Sequence, residues 1–260
     1  MALNIDLSGQ VAIVTGASGG IGLGVARMMA QAGAHVAACA RESSPAWEQF
    51  QLEQMTSGKM ILFTALDITD DESVHRFVQM TVQYFGGIDI LVSNAGANVF
   101  REAADCDTDA WQRNMDLNLK SHWMMSQSCK PYLERSTNGV IVIMTSNHAI
   151  ATIPGCFPYN VAKTALTGLV RSLAIEWGPA IRTVGIAPGF IDTPGNDGWF
   201  QSFPDPQAER AQTVQRHPVG RLGTPEEIGA FCAFLASSYA SFASGATYVV
   251  DGGRTALLQD

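Results

Sequence analysis

The feature that most constrains this chain is an alternation, kept up from near its start to near its end, between short apolar β-branched runs and longer stretches of helical periodicity. Val11-Ala12-Ile13-Val14-Thr15 is the first such run, and it passes through a glycine cluster into a helical stretch from Ile21 to Gln31. His35 to Ala40 then reads as a strand, Pro45 opens a weakly patterned helix, and Met60 to Leu66 reads as the next strand. From about Asp70 to Phe85 the apolar residues Val74, Phe77, Val78, Val82 and Phe85 fall at i, i+3, i+4 spacing, and Thr69 with Glu72 forms the predicted capping box. Further units are a strand at Ile88 to Val92, a long helix at Thr108 to Leu133, a strand at Val140 to Met144, a helix around Tyr159 to Trp177 and a strand at Thr183 to Ala187. Thr224-Pro225-Glu226-Glu227 is a helix start with proline at the first position, and Thr247 to Val250 is a closing strand.

Strands that are apolar along their whole length must be covered on both faces, which calls for a parallel sheet with helices on either side. The predicted fold is therefore α/β: a single-domain, doubly wound (Rossmann) parallel sheet of about seven strands spanning 1–260. The pattern breaks between 194 and 217, where PGNDGWFQSFPDPQ brings prolines, glycines and the aromatics Trp199, Phe200 and Phe203 together. A long interruption in a compact domain is usually functional, so this segment is expected to be a substrate lid. Trp123, Met124 and Met125 read as part of a helix interface.

Composition narrows the class. With 24 Asp+Glu against 16 Lys+Arg the net charge is −8, which argues against a protein that coats nucleic acid or an anionic membrane. No window reaches the ~20 apolar residues of a membrane span, and MALNIDLSGQ has neither the basic end nor the apolar run of a signal peptide, so a cytoplasmic location is expected. The five cysteines are widely spaced, without a CxxC pair or a Cys/His cluster. They read as reduced core thiols, and no metal site is expected.

Residues 15 to 22, Thr-Gly-Ala-Ser-Gly-Gly-Ile-Gly, sit where the first strand meets the first helix. Such a turn aims backbone N–H groups and the positive end of a helix at the carboxyl edge of the sheet, which suits a pyrophosphate. The same residues also spell GxSxG, the nucleophile elbow of α/β hydrolases. That elbow is normally preceded by several strands, and here only ten residues precede the first strand. Further along, Tyr159 and Lys163 open a helix at a spacing of four, which stacks a phenol and an ammonium on one face. Using a phenol near neutrality asks for a fall of about 3 units from its free value near 10, and a neighbouring cation supplies about 1–3 of them.

With the opening TGxxxGxG, Asn94-Ala95-Gly96 after the fourth strand, Ser146 thirteen residues before Tyr159, and Pro188-Gly189 after the sixth strand, the chain resembles the short-chain dehydrogenase/reductase family over essentially its whole length. The resemblance implies a nicotinamide cofactor and hydride transfer to or from a small-molecule alcohol or carbonyl. Tyr159 matches the general acid/base, Lys163 the group that lowers its pKa and holds the nicotinamide ribose, Ser146 the donor that orients the substrate oxygen, and Asn118 the residue that keeps a relay water beside the lysine. Gly16, Ser18, Gly20, Ile21 and Gly22 match the phosphate and ribose loop. Asp67 and Ile68 match the adenine grip, Asn94, Ala95 and Gly96 the floor beneath the adenosine ribose, and Pro188, Gly189, Ile191 and Thr193 the nicotinamide pocket. The resemblance also implies a homotetramer.

In NAD-preferring members an acidic residue ends the second strand. Here that position is Ala40, followed by Arg41, which favours NADP over NAD because a guanidinium can pair with a 2′-phosphate; Glu42 offers Arg41 a competing partner. Asn98, Asn147 and His148 should stand near the substrate and suit a sugar or polyol, whereas Trp199 and Phe200 suit something flatter. Two rivals stand beside this reading: an NAD-dependent sugar or polyol dehydrogenase, and a nucleotide-sensing regulator without turnover.

Overall fold

Each apolar run becomes a strand that needs cover on two sides, and the chain supplies it by returning a helix after almost every strand. The computed structural model describes residues 4–56 and 59–257. Its elements begin with β1 (Val11–Thr15), α1 (Gly20–Gln31), β2 (His35–Ala40), α2 (Pro45–Thr56), β3 (Ile61–Ala65), α3 (Asp71–Phe85) and β4 (Ile90–Ser93). The short β5 (Phe100–Arg101), α4 (Thr108–Met115), α5 (Ser121–Leu133), β6 (Gly139–Met144), the short β7 (Phe157–Pro158), α6 (Tyr159–Glu176) and β8 (Ile181–Pro188) come next. Then α7 (Pro194–Phe200), α8 (Pro206–Gln215), α9 (Pro225–Ala236) and β9 (Thr247–Val250) complete the order.

Seven strands form one parallel sheet in the order β3-β2-β1-β4-β6-β8-β9, with Ile13 of β1 paired to Ala37 on one side and Leu91 on the other. Side chains alternate between faces. Ala12, Val14, Ile90 and Val142 pack with Met29 of α1 and Ile228 of α9, while Ile13, Leu91 and Ile141 pack with Phe77 of α3, Met125 of α5 and Val170 of α6. The order reverses between β1 and β4, so the connections leave their carboxyl ends in opposite directions and open a crevice there. β5 and β7, outside the sequence expectation, pair antiparallel beside it. All five cysteines are free thiols, and burial pushes Cys39 up to about 12.

Several local expectations are corrected. The α3 cap is Asp70, whose carboxylate accepts from the Ser73 amide at 3.3 Å, and not Thr69, whose hydroxyl donates instead to Asp67 Oδ1 at 2.7 Å. A carboxylate two residues back thus takes the hydroxyl that a capping box would need. The long helix from Thr108 to Leu133 is present, with a π-helical turn at Asp116–Lys120 between α4 and α5. The segment expected to be irregular after Pro194 holds α7 and α8, each started by a proline at the first turn behind a capping Thr193 or Asp205. Of Trp123, Met124 and Met125, only Trp123 is exposed.

Helices α1 and α9 approach through glycine. A Cβ on Gly229 would lie 2.5 Å from the carbonyl oxygen of Gly24, and one on Gly24 would lie 2.4 Å from the carbonyl carbon of Pro225. Neither backbone can yield without moving a helix off the sheet. Gly229→Val is expected to lower stability by about 1–3 kcal/mol through overpacking, read as a reduced urea midpoint with an unchanged slope.

Candidate active site

The crevice between the ends of β1 and β4 widens into a cleft of about 740 Å³. Its floor is the turn after β1. Gly16 (φ 69°) and Gly20 (φ 52°) take left-handed backbone, and a Cβ on Gly22 would lie 2.2 Å from the Gly16 carbonyl oxygen, so the turn closes on itself only without side chains. Thr15 Oγ1 accepts from the amides of Asn94 and Ala95 at 2.9 Å each, which ties this turn to the end of β4. The first turn of α1 has no side-chain cap and no acidic residue. Its N–H donors therefore face the cleft without a competing carboxylate, and a Cβ on Gly19 would meet nothing within 4 Å. This donor set, free of side chains and of negative charge, fits the diphosphate of a dinucleotide.

Ser146 is delivered to the cleft by the end of β6, and Tyr159 and Lys163 by the first turns of α6. The Ser146 hydroxyl accepts from the His148 amide at 3.2 Å and lies 3.4 Å from Asn147 Oδ1. Lys163 is only 3% exposed; its Nζ donates to the Met144 carbonyl at 3.0 Å and lies 5.6 Å from the centre of the Tyr159 ring. Phe100 and His148 meet that ring edge-on at 5.5 and 6.1 Å. Burial pushes Tyr159 up to about 12, a hydrogen bond from Ser146 opposing it, and burial brings Lys163 from 10.5 down to about 7.

Asn118 stands behind this group in the π turn. It is fully buried, its Oδ1 accepts from the Ala97 amide at 3.1 Å, and its Nδ2 donates to the Ala97 carbonyl and to Asn114 Oδ1, both at 2.9 Å. Asn114 in turn donates to the Pro158 carbonyl at 3.0 Å, next to Tyr159. Sequence reasoning missed Asn114, although an asparagine one helical turn before Asn118 was the available signal. A Cβ on Gly96 would come within 2.7 Å of Asn118 Oδ1, so this glycine lets the loop after β4 close on the π turn.

Of the other residues singled out from the sequence, Gly16, Gly20, Ile21, Gly22, Asn94, Ala95, Gly96, Pro188, Gly189, Ile191 and Thr193 line the cleft, as do Asn98, Asn147, His148 and Trp199. Ser18, Arg41, Asp67 and Ile68 do not. The Ser18 carbonyl accepts from the Ser44 hydroxyl, which also accepts from the Trp47 amide at 3.1 Å, so Ser18 anchors the start of α2. Asp67 turns its carboxylate onto Thr69, and Ile68 is in the core. Arg41 is exposed just past β2 and forms no ion pair among the described residues, with Glu42 or any other. Phe100, Cys156, Phe190, Arg216 and Arg254 also line the cleft and were not foreseen. Arg254 was within reach of the rule that ligands bind beyond the carboxyl ends of strands, because it follows β9 closely. Among the described residues no group of His, Cys, Asp or Glu is arranged to hold a metal ion, and no helix is long and apolar enough to cross a membrane.

The family model described as enoyl-(acyl carrier protein) reductase matches residues 16–255. Dehydrogenase/reductase SDR family member 4 of Homo sapiens is 36% identical over 255 residues, covering 97% of this chain and 90% of that protein. The chain belongs to the short-chain dehydrogenase/reductase family. It is also 34% identical to 3beta-hydroxysteroid dehydrogenase 1 of Eggerthella lenta, over 96% of this chain and 95% of that one. Among solved structures, aldohexose dehydrogenase of Thermoplasma acidophilum superposes with a TM-score of 0.89 at 28% identity, covering 99% of this chain and 98% of that one. Members of this family are oxidoreductases.

The state of Lys163 has a measurable consequence. The folded chain holds this amine unprotonated down to about pH 7, whereas the unfolded chain keeps it protonated up to 10.5, so folding releases a proton between those values. The cost of burying it is complete below pH 7 and declines as pH rises. Lys163→Met is therefore expected to be more stable than the parent at pH 7, with the difference shrinking by about 1.4 kcal/mol per pH unit toward pH 10 in denaturation experiments.

Proposed function

We propose that the protein is an NAD(P)-dependent oxidoreductase that interconverts a secondary alcohol and a carbonyl on a small molecule, with NADP the favoured cofactor. The observation that carries this reading is the convergence of Ser146, Tyr159 and Lys163 on the same cleft whose floor is the uncapped first turn of α1. The chemistry supplied by a nicotinamide held there is hydride exchange at its C4 and, in the oxidised state, a positive charge. The glycine turn would hold the diphosphate, Asn94 to Gly96 the adenosine ribose, and Pro188, Gly189, Ile191 and Thr193 the nicotinamide side. Asp67 and Ile68 are assigned to the adenine end through the backbone between β3 and α3.

In the reducing direction, the Tyr159 hydroxyl gives its proton to the carbonyl oxygen while the Ser146 hydroxyl donates a hydrogen bond to the same atom. A phenol whose pKa burial raises to about 12 stays protonated throughout the neutral range. Lys163 then favours the phenolate left behind, and Asn118 keeps a water beside Lys163 from which the proton is returned. In the oxidising direction the same groups act in reverse, the phenolate taking the proton of the alcohol. The 194–217 segment closes over the substrate through Trp199 and Phe203, which reach the cleft wall.

The absence of a carboxylate at Ala40 and the lack of an ion-pair partner for Arg41 among the described residues support NADP, since a guanidinium can meet a 2′-phosphate. The NAD-dependent sugar or polyol reading draws on the polar edges of Asn98, Asn147 and His148 and on the likeness to an aldohexose dehydrogenase. A non-catalytic sensor would have no use for the complete Asn118, Ser146, Tyr159, Lys163 set. The family expectation of a homotetramer draws support from the exposed Phe242 and Tyr239 beside β9.

Tyr159→Phe is expected to abolish turnover while leaving cofactor affinity within a few-fold, and retained activity in that variant rejects the mechanism. In fluorescence titrations, NADPH should bind more tightly than NADH, and Arg41→Ala should weaken NADPH about tenfold with NADH unchanged. Tighter NADH binding that ignores Arg41 assigns the protein to NAD.

A further inference from the structure

Arg216, just past α8, and Arg254, in the turn after β9, reach the same cleft as Tyr159 from two different parts of the chain. The backbone holds Arg254 firmly. Gly252 and Gly253 adopt positive φ of 62° and 84°, the buried Asp251 carboxylate accepts from the amides of Gly253 and Thr255 at 2.9 and 2.7 Å, and the Val219 amide donates to the Gly252 carbonyl at 3.2 Å. A Cβ on Gly253 would lie 3.0 Å from Pro218, so this turn is wedged under the chain leaving α8. Within it, Arg254 Nη1 is buried and has no hydrogen-bond partner among the described residues. A buried donor of a charged group left unsatisfied is costly, and a built turn that maintains one points to a ligand that completes it.

We propose that the cleft takes a substrate bearing a carboxylate, a hydroxy acid or its oxo counterpart, whose acid group is received by Arg254 with Arg216 beside it. The proposal rests on the oxidoreductase reading above and names its substrate class.

Charge favours a carboxylate over a phosphate. Glu209 also lines the cleft and lies 3.9 Å from Arg216, and the Asp251 carboxylate acts on Arg254, so the two arginines are offset by two carboxylates and a dianion is the poorer match. Of the remaining cationic groups, Lys163 is turned to the Met144 carbonyl, and burial together with the field of Arg254 holds His148 below its ordinary value and hence neutral at pH 7. The planar guanidinium fork matches the two oxygens of a carboxylate. Burial and then the like charge of Arg216 lower the basicity of Arg254, a repulsion that an anion between the two would relieve.

The test has a binding arm and a turnover arm. Protein saturated with its preferred nicotinamide is titrated calorimetrically with saturated C4 to C6 monocarboxylates, with their primary amides and with inorganic phosphate. The acids should bind ~10-fold or more tightly than the amides, a preference that Arg254→Gln removes and Arg216→Gln weakens, with cofactor affinity and thermal midpoint unchanged. In turnover, hydroxy acids should outperform their amides, and Arg254→Gln should raise KM for the acids with little change in kcat. Equal affinity for acid and amide, or a preference that survives Arg254→Gln, overturns the proposal; phosphate binding tighter than every acid overturns it in favour of a phosphorylated substrate. Arg254-dependent acid binding without any turnover keeps the anion site and rejects the oxidoreductase reading, whereas turnover of neutral alcohols without acid preference rejects the anion site alone.

Discussion

The site depends on the reversal of strand order between β1 and β4. At that point two neighbouring strands send their connections to opposite faces of the sheet, and the ends of both are left uncovered. Glycine turns the gap into a binding surface. Gly16, Gly20 and Gly22 let the chain leave β1, fold onto the loop after β4 and start α1 with its amide donors bare, and Thr15 locks the two strand ends together through the Asn94 and Ala95 amides. Side chains in this turn would either break that closure or stand where a ligand must approach.

The second constraint is the burial of two ionisable groups in one wall. Lys163 is covered on all sides and answers to a backbone carbonyl, and Tyr159 is enclosed by Phe100, His148 and Cys156. The protein alone therefore keeps the phenol protonated and the amine close to neutral. It is poised to donate a proton, and the charge that would make the phenolate accessible must come from what is bound beside it. The asparagine ladder from Asn118 through Asn114 to the Pro158 carbonyl keeps this wall in register with the loop that carries Gly96 and Ala97.

Much of this was legible in the sequence wherever the physics is local. Apolar runs such as Val11 to Thr15 announce strands, the spacing of Tyr159 and Lys163 announces a shared helix face, and Thr224-Pro225-Glu226-Glu227 announces a capped helix, which α9 realises with its capping box complete. Legibility failed where two local signals competed or where a distant contact decided. Thr69 looked like a cap until Asp67 claimed its hydroxyl, and the helix through Asn118 looked regular because nothing within it discloses the Ala97 loop that pulls on it.

The sequence by itself determined the alternation of strand and helix, the parallel sheet and the family motifs, because periodicity and spacing act over one or two turns of chain. Tertiary structure alone decided the pKa of Tyr159 and of Lys163, the π turn at Asn118 and the meeting of Arg216 with Arg254. Those depend on burial and on groups brought together from far apart, and desolvation and close approach exist only once the sheet and its helices have closed around them.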